Sequence, residues 1–462
     1  MQKSSDIQKL IGFPLTDAGN AERLQLILGR DWRYCPQMKK WLKWSGKNWQ
    51  ETETSVLRVA AVEAFRELCD ETYRLPKPAD KYERSRRDAV ISFIEKSENI
   101  GKVTSALQFL EGLLQIDYSS FDLNPWLLNV QNGTLELKTG KIREHSRNDY
   151  LLHICNAPYV EFPDSTLWTK TVKEILPIAS IRAWVQRFVG YALTGSTREE
   201  KFVVAYGSGG SGKGTFLDTI GAAMGTYKTT IPVDVLLANA IQTTGNNPTP
   251  EIAKLPGKRL VLSSESGKNR RLDEAKVKLL TGGDVITARR INAQPFEFKP
   301  SFKLVLETNF LPSLADSLDA GIRRRMVIIP FDAKFESRNE SLKEELLLPE
   351  NLAACLSWVI KGAQMWQAGG LKDVPTEAQE AAQRYFEEND LIGQWLNERT
   401  EPSTGFLKFD VALRDLNTWL TAGGSGNCVF GRKGFSESME RHGKIKERRT
   451  QGYGFPGLQL KN

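Results

Sequence analysis

The sequence predicts an α/β core, preceded by a mixed, mostly helical N-terminal region and followed by a C-terminal winged-helix-like domain. Three observations carry this. Four short apolar runs, FVVAY, LVLS, FKLVLE and MVII, are separated by helical segments, as expected of strands covered by helices on both faces. A glycine loop, GSGGSGKGTF (Gly207 to Phe216), lies between the first run and an amphipathic segment. The tail reads as two helices followed by a basic turn flanked by strand-like pieces.

Five segments follow in order. Residues 1–115 form an accessory region. Within it KWLKWSGKNW alternates like a hairpin with a Ser-Gly turn, and ETSVLRVAAVEAFRELCDETYRL has helical spacing ending before Pro76. Trp32, Trp41, Trp44 and Trp49 sit among lysines and arginines; packing against the domain is the expected role, and stacking on bases the alternative. In residues 116–200, LLNVQNGTLELKTGKI gives short strands turned at Asn132-Gly133 and Thr139-Gly140, and SIRAWVQRFVGYALTG gives a helix. Residues 201–340 hold the strands expected at Phe202–Tyr206, Leu260–Ser263, Phe302–Glu307 and Met326–Ile329, with a helix from Lys213. Residues 341–400 are helical, and 401–462 make the terminal domain.

Composition narrows the class. The chain of 462 residues is 40% hydrophobic and 26% charged, enough apolar material for real cores. No apolar run approaches the roughly 18–20 residues of a membrane span, and MQKSSDIQKL has no secretory h-region. Cys35, Cys69, Cys155, Cys355 and Cys428 are scattered singly beside only His145, His153 and His442, which disfavours structural zinc and fits a reducing cytoplasm. The net charge of +7 leans toward a polyanionic partner.

The glycine loop carries the chemistry. Gly207, Gly209, Gly210 and Gly212 let backbone N–H groups converge on phosphate oxygens, the following helix offers its positive end, and Lys213 bridges terminal phosphates. Gly214 stands where a metal-binding Ser or Thr is common, and the hydroxyl comes one position late at Thr215. Either Thr215 takes the magnesium contact or the metal is held through water. Hydrolysis also needs an acid near magnesium and the attacking water; Glu265 ends an apolar strand 52 residues after Lys213 and is the candidate general base. Asn309, after KLVLET, is placed to polarise that water or sense the γ-phosphate. Arg323, Arg324 and Arg325 precede another strand, from which one could reach a neighbouring subunit's γ-phosphate as an arginine finger.

Two basic features suit a DNA backbone. DVITARR and PFEFKP around INAQ suggest a hairpin carrying Arg289 and Arg290, with Lys278 on the preceding helix; internal ion pairing is the alternative. In the tail, Lys444, Lys446, Arg448 and Arg449 cluster in KIKERR, as a DNA-contacting wing or a solvated loop.

Taken together, GSGGSGKGTF, NNPTPEIAKLPGKRLVLSSE, KLLTGGDVITARR, FKLVLETNFLP and RRRMVIIPF resemble the superfamily 3 helicase domain of phage and plasmid primase-helicases, related to the poxvirus-type primase-helicase. LLNVQNGTLELKTGKI with FVGYALTGSTREEKF resembles the segment preceding that domain, and TDAGNAERL with KKWLKWSGKNW the stretch opening the helicase half. The resemblance implies an AAA+-like ATPase that forms rings, usually hexamers, around single-stranded or forked DNA and translocates with ATP and Mg2+. It puts Gly207, Gly212, Lys213 and Thr215 on the phosphate loop, Glu265 on the second acidic motif, Asn309 on the sensor position, and Arg324 and Arg325 on the paired arginines. The expected setting is replication of a phage, plasmid or other mobile element, with a separate primase or polymerase as a further partner. No D-x-D motif occurs in the N-terminal region, so primer synthesis is not expected of this chain. A nucleotide kinase, since G-K-G-T also occurs there, and an origin-binding initiator using ATP mainly for assembly are the competing classes.

Overall fold

A computed structural model describes residues 4–161, 163, 166–238, 248–265, 267, 270–291, 294–336, 339–422 and 429–461. The N-terminal region is a helical layer on a small sheet. Helices Asp17–Leu28, Thr54–Arg74, Lys81–Lys96 and Ile100–Leu113 enclose a core of Leu24, Leu57, Phe65, Ile94 and Leu107. An antiparallel meander, Trp32–Cys35, Lys40–Trp44 and Trp49–Thr52, packs beside it. Its hairpin closes on the Trp44–Trp49 pair, and Gly46 supplies the positive φ of 92° that the turn requires. Trp32, Trp41 and Trp49 are buried and Trp44 is half-buried, so packing rather than base stacking explains these tryptophans.

A second meander, Leu127–Val130, Gly133–Glu136 and Lys141–Arg143, turns first at Gln131-Asn132, one residue earlier than expected because Gly133 already pairs with Val130, and then at 137–140. It is tied to both neighbours. The amide of the buried Asn129 donates to Lys47 O at 2.7 Å, and the Asn129 backbone N–H donates to the Tyr227 hydroxyl at 3.1 Å.

The centre of the molecule is a parallel five-stranded sheet in the order Met326–Pro330, Phe202–Tyr206, Lys303–Thr308, Leu260–Glu265, Lys228–Thr230. The mixed α/β class is therefore as the sequence predicts. Strand Lys303–Thr308 lies between the strand leading into the glycine loop and Leu260–Glu265, so that Thr308 is level with Tyr206 on one side and with Glu265 on the other. Phe202–Tyr206, Lys303–Thr308 and Met326–Pro330 place apolar side chains on both faces, whereas the edge strand Lys228–Thr230 is polar. One face packs on helices Thr166–Ile175, Ala179–Leu193, Lys213–Met224 and Pro349–Gly369 through Trp168, Phe188, Phe216, Ile220 and Val359. The other meets Leu272, Val277, Leu280, Tyr385 and Phe386. Fully burying side chains of this size contributes about 1.5–3 kcal/mol each, so the sheet and its covering helices form one stiff platform for the loops at its carboxyl edge.

The C-terminal unit has its own core of Trp395, Leu407, Phe409, Leu416, Phe435, Met439 and Phe455. Its three strands run in the order Thr400–Lys408, Gly452–Leu460, Glu447–Arg449, against helices Phe409–Ala422 and Arg432–Arg441. Helix Leu391–Arg399 packs into this same core through Ile392 and Trp395. Asp390 caps that helix, accepting from Gly393 N, and meets His442 Nε2 at 3.0 Å, joining the unit to the end of the preceding helical stretch. No helix among the described residues is long and apolar enough to cross a membrane, and none of their His, Cys, Asp and Glu cluster as a metal site.

Candidate nucleotide site

Strand Phe202–Tyr206 ends at Gly207, and helix Lys213–Met224 begins six residues later, so the loop crosses the carboxyl edge of the sheet. Three of its glycines are required by geometry. A Cβ on Gly207 would lie 2.2 Å from Phe331 O, and one on Gly212 would lie 2.7 Å from Ile175 Cγ1; Gly210 and Gly212 both have φ of 84°. Around Gly209 and Gly210 the space beyond the backbone is open. The result is a loop pinned below by Phe331 and Ile175 and open above, followed by a 12-residue helix whose first N–H groups have no intrahelical partner. This cradle suits an anion of phosphate size.

Lys213 lies inside the cradle. Its side chain is buried, and its ammonium donates to Gly207 O at 2.8 Å, Ser208 O at 2.9 Å, Ser211 Oγ at 3.3 Å and Asn309 Oδ1 at 3.0 Å. Burial lowers its pKa, and the nearby Glu307 opposes that shift. Asn309 is presented by a tight turn in which buried Thr308 donates its hydroxyl to Phe310 O at 2.6 Å and accepts from Phe310 N at 3.0 Å. An ammonium only donates, so Asn309 must face Lys213 with its carbonyl oxygen, which leaves its two amide N–H groups for another partner.

The other expected residues fall as follows. Gly214 and Thr215 are half-buried in the first helical turn. Glu265 ends the strand next to the Asn309 strand, level with Thr308; its side chain lies outside the described residues. Arg324 and Arg325 converge on one carboxylate, Glu200, at 2.8 and 2.7 Å. They differ in exposure: the Arg325 side chain is 9% exposed and also donates to Gly321 O at 3.1 Å, whereas that of Arg324 is 64% exposed. Arg323 is held elsewhere, over the Phe386 ring.

Of the two basic features, the hairpin forms at Ile286–Arg289 and Pro295–Phe298. Arg289 O accepts from Thr249 N at 2.9 Å and Arg289 N donates to Thr249 Oγ1 at 3.0 Å, Arg290 stacks over Phe296 and Tyr118 at 5.7 and 5.9 Å, and Lys278 is paired with Asp319 at 2.8 Å. Strand Glu447–Arg449 carries Arg448 over exposed Tyr453 at 5.8 Å and Arg449 over Phe406 at 5.0 Å, Lys446 just before it lies between Phe409 and Tyr453, and Lys444 follows helix Arg432–Arg441.

Sequence reasoning passed over two acidic residues. Glu200, in a positive-φ conformation, collects both arginines. Glu307 stands beside the loop helix, near Lys213 and Gly214. A charge inside an otherwise apolar parallel strand was the available signal.

The family described as "D5 N terminal like" matches residues 21–177, and a family of unknown function, DUF5906, matches residues 205–325. "Putative helicase L207/L206" of Acanthamoeba polyphaga mimivirus is 31% identical over 230 residues, covering 49% of this chain and 24% of that protein. "Putative helicase 121R" of Invertebrate iridescent virus 3 is 26% identical over 381 residues, or 73% of this chain and 39% of its own. "Putative primase C962R" of African swine fever virus is 25% identical over 217 residues, 45% of this chain and 22% of its own. The chain is thus similar, over roughly half to three quarters of its length, to viral proteins named as helicases or primases. The chain spans well under half the length of these three relatives. Among solved structures, "The A form apo structure of NrS-1 C terminal region-CTR" is 10% identical with a TM-score of 0.47, covering 94% of this chain and 97% of that one.

Proposed function

We propose that the chain is an ATP-dependent DNA helicase or translocase acting in replication of a phage, plasmid or other mobile element. One observation carries the reading most strongly: the buried Lys213 ammonium is held between the glycine loop and Asn309. That arrangement couples a phosphate cradle to a polar group on the adjacent strand, as nucleotide hydrolysis requires. The inserted strand between the loop strand and the Glu265 strand supports an AAA+-like core. Two helices with a three-stranded sheet and a basic turn support a winged-helix domain.

Bound ATP supplies the phosphoanhydride to be hydrolysed, and Mg2+ neutralises charge on its oxygens. The loop N–H groups and Gly209–Gly210 would receive the phosphates, and Lys213 would exchange its carbonyl partners for them. Thr215 and Glu265 are the candidate metal holders, Glu265 the candidate base. Asn309, with its carbonyl oxygen engaged by Lys213, would offer its amide N–H groups to the attacking water. Arg324, at the surface, is the better candidate for a finger acting in a neighbouring subunit of a hexameric ring. Arg289, Arg290 and the wing cluster would contact DNA phosphates; a separate primase or polymerase would be the working partner.

The test is strand displacement on a forked duplex together with nucleotide binding. Lys213→Ala should abolish both, and Glu265→Gln should abolish displacement while retaining binding. Unwinding that persists in either variant overturns the site assignment. The competing initiator reading predicts ATP-dependent rings with no displacement by the wild type, and the kinase reading predicts phosphoryl transfer to a nucleotide without DNA.

A further inference from the structure

The loop departs from the usual pattern at Gly214, and the structure shows what faces that position. A Cβ built there lies 3.4 Å from Glu307 Oε1 and 3.9 Å from Asp218 Oδ2. A serine or threonine hydroxyl, one bond further out, would enter the space facing the Glu307 carboxylate.

Glu307 is placed there by strand geometry. Along Lys303–Thr308, Leu304 and Leu306 join the core on one face of the sheet, while Val305 joins the core that includes Phe216, Leu217 and Ile220 of the loop helix. Period-two alternation therefore puts Glu307 on the helix side, two residues before Asn309. In register it is level with Ala205 and Ser264, the first of these two residues before the loop and the second preceding Glu265. Its carboxyl is half-buried, and burial raises its pKa while Lys213 opposes the shift. Among the described residues no hydrogen-bond donor reaches it. Asp218, by contrast, is mostly exposed and paired with Lys343 at 3.3 Å.

A half-buried carboxylate without a donor is costly in a resting structure unless a cation completes it. Magnesium takes hard oxygen ligands, and one carboxylate beside substrate phosphates is its ordinary protein complement. Resting on the nucleotide-site reading above, we propose that Glu307 supplies the magnesium ligand that the missing hydroxyl would have given, and that Gly214 is the residue that leaves room for it. The loop and the strand are then a matched pair: a glycine after the lysine goes with a carboxylate on the neighbouring strand.

The experiment is calorimetric titration of a non-hydrolysable ATP analogue, with and without Mg2+, into the full chain. Wild type should gain affinity when Mg2+ is added. Glu307→Gln, which keeps the side chain's size, and Glu307→Ala should lose that gain by about tenfold or more, with metal-free affinity within about twofold of wild type. Gly214→Ser in the Glu307→Ala background should restore the gain, because the hydroxyl then occupies the cleared space. If both Glu307 variants keep the wild-type magnesium gain, the inference is wrong. If wild type and Lys213→Ala bind the analogue equally, the nucleotide-site reading itself fails, a result distinct from the first.

Discussion

The Lys213 ammonium and the Asn309 carbonyl oxygen are 3.0 Å apart, across the gap between the glycine loop and the tip of the central strand. This contact makes the loop and Asn309 one unit, since phosphates that draw Lys213 away from its carbonyls would also release or reorient Asn309. Asn309→Ala should therefore reduce ATP turnover by at least about tenfold while leaving ADP affinity within a few-fold of wild type. Asn309→Asp should weaken ATP binding, because a carboxylate would hold the ammonium more tightly than an amide does. Turnover and equilibrium binding measured on the same preparations separate the two effects.

Arg324 and Arg325 share Glu200, yet their burial assigns them different work. Arg325→Ala removes a buried guanidinium with its bonds to Glu200 and Gly321 O and should cost about 1–2 kcal/mol of stability, read by chemical denaturation. Arg324→Ala removes a mostly exposed guanidinium and should cost well under about 1 kcal/mol. It should nevertheless cut hydrolysis by about a hundredfold or more if it acts as a finger. Mixing Arg324→Ala with Lys213→Ala subunits should recover part of the activity, since intact loops then meet intact arginines across some interfaces.

A separate buried charge makes stability depend on pH. Asp122 accepts one hydrogen bond, from Leu152 N at 3.3 Å, and its other oxygen has none; burial pushes its carboxyl up to about 7, partly offset by Arg259. The folded chain thus keeps a proton that the unfolded chain releases. That contribution is present below the ordinary carboxylate range and is lost as pH rises through about 7. Asp122→Asn should be more stable than wild type at pH 8 by on the order of 2 kcal/mol and nearly equal to it at pH 4. His153, lowered to about 3 by burial and by Lys258 and Arg259, is neutral in the fold. It contributes the opposite slope, with stability present above its ordinary 6.5 and lost as pH falls below it. Denaturation curves across pH 4–8 for wild type and Asp122→Asn isolate the aspartate.

In the C-terminal basic turn, Lys446 and Arg448 flank the exposed Tyr453 ring. Lys446→Glu with Arg448→Glu should weaken duplex binding equally across sequences. It should also lower the slope of log affinity against log salt by about 2, as fluorescence anisotropy at several ionic strengths would show.

The parts of the fold legible in the sequence were those with strong local signals. Strand Phe202–Tyr206 and helix Lys213–Met224 start where the apolar run and the loop lysine put them, because glycines mark both boundaries. Strands Trp32–Cys35 and Lys228–Thr230 were not read. Trp32–Cys35 owes its strand to pairing with Lys40–Trp44, and Lys228–Thr230 is a three-residue edge strand held by Leu260–Leu262. At the site, Lys213 and Asn309 announced themselves by motif and were brought together by the sheet. Glu307 and Glu200 did not, because their roles arise from residues 93 and 124 positions away, at Gly214 and Arg324. The packing of Arg290 over Phe296 and Tyr118 was equally non-local.

Steady-state ATP hydrolysis with and without single-stranded DNA, for wild type and Lys213→Ala, tests most directly whether this loop hydrolyses ATP in the service of moving on DNA. Mg2+-dependent hydrolysis should rise several-fold with DNA in the wild type and be absent in Lys213→Ala under both conditions. Hydrolysis indifferent to DNA, or undiminished in Lys213→Ala, would contradict this reading.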